Sequence, residues 1–452
     1  MAKLITSLSG WGRFPMQTCE LERPERYADL QPTAANLIAR GQGRSYGDAA
    51  LNRNGRVLLT ERVNRLLEFD AGQGILRAEA GATLAEILEV IVPRGWFLPV
   101  TPGTKFVSLG GCVAADVHGK NHHHDGSFGE HVLGIELILA DGSCVACSPS
   151  ENAALFWATV GGMGLTGIIG EVTLKLIPIH SAYVKVRHHG AGNLEQLFGL
   201  MQDAALDDRY TVAWIDSMAR GSKLGRGIVM CGHHAAPDEL PADCAQPFMI
   251  EHARARSIPF DFPSWALSAL SISAFNAQYF SREGGKREPF LSGYDPYFYP
   301  LDAIGRWNRM YGKRGFVQYQ CVIPQAAAFE GVRKLLQQLS DSRRPSFLAV
   351  LKRLGAQGRG LLSFPMAGYT LALDLPIRNV GLFAFLDKLD GIVLQHGGRV
   401  YLAKDARLSP ESFRAMYPRY AEWLRIKHAV DPQDRFNSSL ARRLRIVGDQ
   451  DQ

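Results

Sequence analysis

Thr101-Pro-Gly-Thr-Lys-Phe-Val-Ser-Leu-Gly-Gly-Cys-Val-Ala-Ala-Asp-Val-His-Gly-Lys-Asn-His-His-His-Asp-Gly-Ser-Phe-Gly-Glu-His131 joins a run of small residues to a dense histidine cluster. So many missing side chains let a backbone lay its N–H groups directly against a flat or anionic ligand. Three readings fit the stretch alone. It is a glycine-rich surface loop with solvated histidines, or a metal site, or a cofactor cradle with one histidine facing the reaction. His118 and His122 are four apart, which places two metal ligands on one face only in a helix. Gly119, Gly126 and Gly129 oppose a helix, and no carboxylate completes a familiar ligand spacing. The cradle needs support from elsewhere in the chain, and two further glycine-rich stations supply it.

The first is Gly41-Gln-Gly-Arg-Ser-Tyr-Gly-Asp48, entered from the apolar run Ala35–Arg40. A strand ending in Gly-x-Gly opens a phosphate-cradling turn, but the third glycine and downstream acid of a doubly wound dinucleotide fold are missing. The other is Leu155-Phe-Trp-Ala-Thr-Val-Gly-Gly-Met-Gly-Leu-Thr-Gly-Ile168.

Between the stations the pattern alternates. Arg23–Leu30 reads as a short helix with Pro24 in its first turn. Val57–Thr60, Leu66–Phe69 and Ile75–Ala80 read as strands, and Thr83 with Glu86 forms a capping box for a helix carrying Leu84, Ile87, Leu88 and Ile91. Strands over Val132–Leu139 and Ser143–Cys147, a helix around Ala153–Thr159 and a strand from Ile168 follow. Cys144 and Cys147 form a lone C-x-x-C just past the Asp141-Gly142 turn, which favours a strand over a redox or zinc site. After Pro178 strands alternate with amphipathic helices such as Phe329–Leu339, interrupted by an irregular aromatic segment, Ile258–Tyr299.

The 452 residues suffice for two or three domains. A net charge of +6, spread along the chain, argues against nucleic acid and suits an anionic substrate. Seven irregularly spaced cysteines point to reduced thiols in the cytoplasm. No secretion signal and no run of membrane-spanning length is recognisable.

Taken in order, the three stations resemble the FAD-binding domain of the vanillyl-alcohol-oxidase, or PCMH-type, flavoproteins. Gly-Arg-Ser-Tyr-Gly-Asp at 43–48, His-Gly-Lys-Asn-His-His at 118–123, Trp-Asn-Arg-Met-Tyr-Gly at 307–312, Gln-Tyr-Gln at 318–320, Tyr-Leu-Ala-Lys-Asp at 401–405 and Met-Tyr-Pro-Arg at 416–419 are similar to the decaprenylphosphoryl-β-D-ribose 2′-oxidase family within it. The resemblance implies a two-domain α+β fold. An FAD-binding domain (1–181) is completed by a C-terminal segment (399–452), with an inserted α+β substrate domain (182–398). It implies hydride transfer to FAD from the C2′ hydroxyl of a polyprenylphosphoryl ribofuranose, giving a 2′-keto sugar. A short-chain reductase partner then completes epimerisation to the arabinose donor. A soluble alditol or sugar-lactone oxidase using O₂ is the alternative on the same fold.

Carried over residue by residue, the resemblance implies cofactor contacts from Gly41, Gln42, Gly43, Arg44, Ser45, Tyr46 and Gly47 around the pyrophosphate. Gly103, Ser108, Leu109, Gly110, Gly111, Ala115, Asp116, Val117 and His118 run along the flavin. Gly164, Gly167 and Ile169 lie on the adenosine side, and Tyr401 touches the flavin. Lys404 is the cation beside flavin and substrate, and His118 takes the hydroxyl proton. Tyr46, Lys120, Trp214, Gln318, Gln320 and Lys352 match substrate-pocket positions. Alternation places Gln318 and Gln320 on one face of a strand, with Tyr319 opposite. Arg44 stands where many relatives carry a histidine bonded to the flavin, and guanidinium cannot make that bond. FAD is therefore expected to be non-covalent. Thr370 and Ala372 depart from the closest relatives in the pocket strand.

A substrate with a long apolar tail implies a meeting at a bilayer, peripheral to the inner membrane. Ile258-Pro-Phe-Asp-Phe-Pro-Ser-Trp-Ala-Leu-Ser-Ala-Leu270, then Phe275, Tyr279, Phe280, Lys286 and Arg287, suits an interfacial segment; the same aromatics also suit a domain core.

Overall fold

The computed structural model describes residues 4–32, 35–250, 256–263, 265–286, 288–378 and 381–446; Arg287, expected as part of a basic flank, lies outside them. Three sheets organise the chain. The first joins an antiparallel hairpin, Leu4–Ser9 with Met16–Glu22, to two parallel strands, Arg56–Leu59 and then Leu37–Arg40 at the edge. The hairpin is absent from the sequence expectations, because its residues alternate only weakly and both Leu4 and Ile5 stay exposed. The second sheet is antiparallel, in the order Leu66–Asp70, Ile75–Glu79, Ile168–Lys175, Val132–Ile138, Cys144–Cys147. Its inner face buries Leu76, Leu137, Val172 and Leu174 against the helix Leu84–Ile91, which presents Leu84, Ile87, Leu88 and Ile91. The capping box forms as read: Glu86 N donates to Thr83 Oγ1, and the Glu86 carboxylate accepts from Thr83 N at 2.7 Å.

The third sheet has eight antiparallel strands, in the order Phe290–Gly293, Tyr183–Ala191, Gly227–His234, Tyr210–Ile215, Ala349–Leu354, Gly368–Pro376, Phe316–Pro324, Arg399–Val400. Helices Leu194–Asp207, Ala328–Asp341 and Leu382–Gln395 cover one face, where Tyr319 and Cys321 pack with Leu335, Leu339 and Leu389. Strand alternation turns Gln318 and Gln320 to the opposite face. Register fixes a row across it, Gln320 beside Ala372, Ala372 beside Val350, Val350 beside Trp214. The final edge strand, Arg399–Val400, comes from the C-terminal segment, so the chain returns through this sheet before Phe436 bridges Leu37 in the first.

Two elements differ from the sequence reading. Arg23–Leu30 keeps only one 3-10 turn, Tyr27–Asp29, because Arg26 is extended before it and Pro24 holds its predecessor out of the helical region. The segment Ile258–Tyr299 is less irregular than expected. Ser268 accepts from Ser271 N and caps a fifteen-residue helix, Ala269–Glu283, whose apolar periodicity is blurred by outward-facing Leu270 and Phe275.

Candidate active site

A cavity of about 310 Å³ lies between the polar face of the eight-stranded sheet and the three glycine-rich stations, within the size of a cofactor or substrate site. From the first station Gly41, Gln42, Gly43, Arg44, Ser45 and Tyr46 reach its wall; from the second Gly103, Ser108, Gly110, Gly111, Ala115, Val117 and His118; from the third Gly164, Gly167 and Ile169. Gly43 and Gly164 have φ of +62° and +76°, conformations that side chains resist. The second and third stations bond backbone to backbone, Gly161 N to Val113 O and Met163 N to Ala114 O, and the first packs against the Ser108 side chain. A Cβ on Gly41 would fall 2.0 Å from Ser108 Oγ, whereas one on Gly103 would meet open space. A slit walled by backbone and by Ala39, Ala49 and Ala114, with buried His118 Nδ1 unpartnered, fits a flat, anionic, dinucleotide-sized group such as FAD. These three stations would hold it.

At the other end of the cavity, side chains take over. Tyr401, Ala403 and Lys404 enter from the turn after Arg399–Val400. Tyr401 N donates to Gln320 O at 2.9 Å, its hydroxyl donates to Ala115 O at 2.8 Å, and Tyr46 N donates to Ala403 O at 3.0 Å. The C-terminal segment thus ties the first and second stations to the substrate-side sheet. Lys404 Nζ sits 4.0 Å from the centre of the Tyr46 ring. Asp405, the adjacent carboxylate, faces away and pairs with Arg443 at 2.8 Å; Lys404 is therefore not half of a surface ion pair. Burial pulls Lys404 down to about 7, with Asp374 opposing and Lys352 adding to the fall. Burial also lowers Lys352 to about 8.

His118 Nε2 lies 2.9 Å from Gln320 Nε2, which also donates to Thr370 Oγ1 at 3.1 Å. With that amide donating, the imidazole carries its hydrogen on Nδ1. Burial first, then the charges of Lys352, His122 and Lys404, hold His118 well below the usual histidine range, so it is neutral. Gln318 Nε2 donates to Asp374 Oδ1 at 2.6 Å, and Tyr311 donates to Asp374 Oδ2 at 3.2 Å. Burial raises Asp374 to about 7. Sequence reasoning missed Asp374. Its signal was an acid two residues past Ala372 on an alternating strand, invisible until the register set it opposite Gln318.

Five expected residues do not line the cavity. Gly47 packs under the loop of Lys404, its would-be Cβ 1.5 Å from Asp405 O. Leu109 is core, its N–H bonded to Ala82 O. Asp116, at φ +40°, accepts from Ser127, Gly129 N and Ser363; it pins the turn that presents Val117 and His118. Lys120 is half-buried outside the cavity wall, donating to Tyr297 O, with its ammonium 4.0 Å from the Tyr297 ring. Trp214 ends the row beyond Val350, edge-on to Tyr279 at 4.8 Å. Trp11, Arg40, Asp302 and Trp307 line the cavity without having been expected. The histidine run forms one short turn, His122–Asp125, with His118 outside it. No cluster of three or more His, Cys, Asp or Glu suited to a metal occurs among the described residues.

A three-station slit joined to a polar end on an antiparallel sheet defines an FAD-binding oxidoreductase of the PCMH type. Residues 25–148 match the FAD binding domain family, and residues 373–444 match the D-arabinono-1,4-lactone oxidase family. The decaprenylphosphoryl-beta-D-ribose oxidase of Mycolicibacterium smegmatis is 37% identical over 451 residues, 97% of each chain. The chain belongs to the decaprenylphosphoryl-β-D-ribose oxidase family. An uncharacterised protein of Streptomyces coelicolor is 36% identical over 80% of this chain and 99% of its own. Human Delta(24)-sterol reductase is 33% identical over 132 residues, 29% of this chain and 25% of its own.

Proposed function

We propose that the protein is an FAD-dependent oxidase of the C2′ hydroxyl of a polyprenylphosphoryl-β-D-ribofuranose, producing the 2′-keto sugar. The observation that carries this reading is the near-full-length similarity to the M. smegmatis oxidase. FAD, held without a covalent link, supplies the hydride acceptor. The chain's own residues do the rest. Gln318 and Gln320 offer amides to the sugar hydroxyls from adjacent positions on one strand face. Lys404 and Lys352 place positive charge where the phosphate and the reacting oxygen are negative. His118, neutral and buried, accepts the hydroxyl proton once a substrate oxygen displaces the Gln320 amide from Nε2. Burial of Gln318, Gln320 and His118 helps keep water from the carbon that gives up hydride.

Completion of the epimerisation falls to a reductase partner acting on the 2′-keto product. Because the substrate is lipid-borne, the enzyme works at a membrane surface. No helix among the described residues is long and apolar enough to cross one. The match over 373–444 supports a second reading, a sugar-lactone or alditol oxidase using O₂. Anaerobic mixing with a short-chain polyprenylphosphoryl ribose separates the two. Bleaching of the flavin by that compound, and not by free lactones or alditols, is the expected result; the converse overturns the proposal.

A further inference from the structure

Trp11 forms part of the cavity wall and also part of a second, open depression of about 400 Å³, whose other walls are Arg13, Arg306, Asn308 and Arg309. Among the described residues, one carboxylate serves this arginine cluster. Asp261 accepts from Arg13 Nη1 at 2.7 Å and from Arg309 Nε at 3.2 Å. Arg306 is exposed and holds a left-handed backbone at φ +54°; its carbonyl accepts from Arg309 N at 2.9 Å, but its guanidinium has no hydrogen-bond or ion-pair partner among the described residues. Among the described residues, three guanidiniums against one carboxylate leave the depression with two uncompensated positive charges, and nothing in the reaction at the other cavity uses them.

Beside it stands an apolar ridge. Arg309 Nη1 donates to Pro259 O at 2.6 Å, and Phe262 N donates to Arg309 O at 2.9 Å, so the segment carrying Phe260 is clasped to the arginine cluster. Ile258 and Phe262 pack inward against Trp307, Met310 and Phe316. Phe260, Trp265 and Leu270 point out, 60%, 74% and 82% exposed. Large side chains left this bare next to bound-charge sites match the pattern of an interfacial membrane contact: rings at headgroup depth, cations on the phosphates.

We infer that the Arg13–Arg306–Arg309 depression is a binding site for the phosphate headgroups of an anionic phospholipid bilayer, with Phe260, Trp265 and Leu270 inserted beside it. This docks the mouth of the active cavity, marked by Trp11, onto the membrane. The inference rests on the functional reading only in expecting a lipid-borne substrate. The substrate's own phosphate is one bond from the ring carbon adjacent to the reacting one and belongs near Lys404 and Lys352; the depression takes a second phosphate, from the bilayer.

The test is co-sedimentation of the FAD-loaded protein with vesicles of phosphatidylcholine alone and of phosphatidylcholine with phosphatidylglycerol. Wild type is expected to bind the anionic vesicles, with Arg306→Glu binding roughly twenty-five-fold less, since losing a cation at such a surface is worth about fivefold and gaining an anion about fivefold again. The double variant Phe260→Ser, Trp265→Ser is expected to lose the binding that survives high salt. Both variants should retain FAD and oxidise a short-chain, water-soluble substrate as wild type does. Equal binding by wild type and Arg306→Glu, equal binding to both vesicle types, or no vesicle binding by wild type overturns the inference; in the last case the ridge belongs to a protein partner. Arg306-dependent binding with no oxidation of the ribose substrate would sink the functional reading and leave the docking site standing.

Discussion

Asp374 and Gln318 stand opposite each other in the ladder between Gly368–Pro376 and Phe316–Pro324, and their side chains meet at 2.6 Å. The pair links the floor of the active cavity to Lys404, whose ammonium is the charge that opposes the rise of Asp374.

A pH dependence follows. Asp374 is raised by burial to about 7, against about 3.9 in an unfolded chain. Between those values the native state holds a proton that the unfolded state has lost, so stability from this group is complete below pH ~4 and is lost as pH rises towards ~7. The melting temperature of flavin-free wild type relative to Asp374→Asn should therefore fall across that window. A constant difference from pH 4 to 7 would show that Asp374 is ionised throughout.

Lys404→Ala should leave FAD bound and the protein folded while slowing flavin reduction by substrate ~10²–10³-fold, the scale of losing one fixed electrostatic contact. Stopped-flow absorbance measures it. Turnover within a few-fold of wild type would remove Lys404 from the mechanism.

Acid precipitation should release all the flavin into the supernatant. Arg44 lies in the cavity wall with its guanidinium 4.0 Å from the Trp11 ring, and a guanidinium cannot form a histidyl–flavin bond. Yellow colour retained in the washed pellet would reveal a bond through another residue.

Gly47→Ala is expected to harm catalysis without touching a ligand. The new methyl would strike Asp405 O, and relief requires moving the loop that carries Lys404. We expect a lower melting temperature and slower flavin reduction together. Gly103→Ala, entering open space at the cavity wall, should spare the fold and weaken FAD binding; titration of flavin-free protein with FAD distinguishes the two.

Glycine spacing made the cofactor cradle legible in the sequence, because few alternatives explain three small-residue stations in order. Capping chemistry gave the Leu84–Ile91 helix, and strand alternation gave the shared face of Gln318 and Gln320. Other features depend on partners distant in sequence. Asp374 acquires a role only through its register with Gln318. Lys120 and Trp214 match the resemblance in sequence yet sit outside the cavity wall, since a motif fixes residue type and not depth. The exposed helix Ala269–Glu283 was hidden because outward-facing apolar residues blur the 3.6-residue period on which such a reading relies.

The return strand Arg399–Val400 closes the edge of the eight-stranded sheet beside Cys321 and Val322, only a few residues before Tyr401 and Lys404 reach the cofactor side. Recombination experiments meet a constraint here. A chimera that grafts a relative's substrate domain at the obvious boundaries would pair a foreign edge with a native strand and misaim Lys404 by the mismatch. The transplantable unit includes the piece up to Asp405, so the polar sheet face and Lys404 are inherited together.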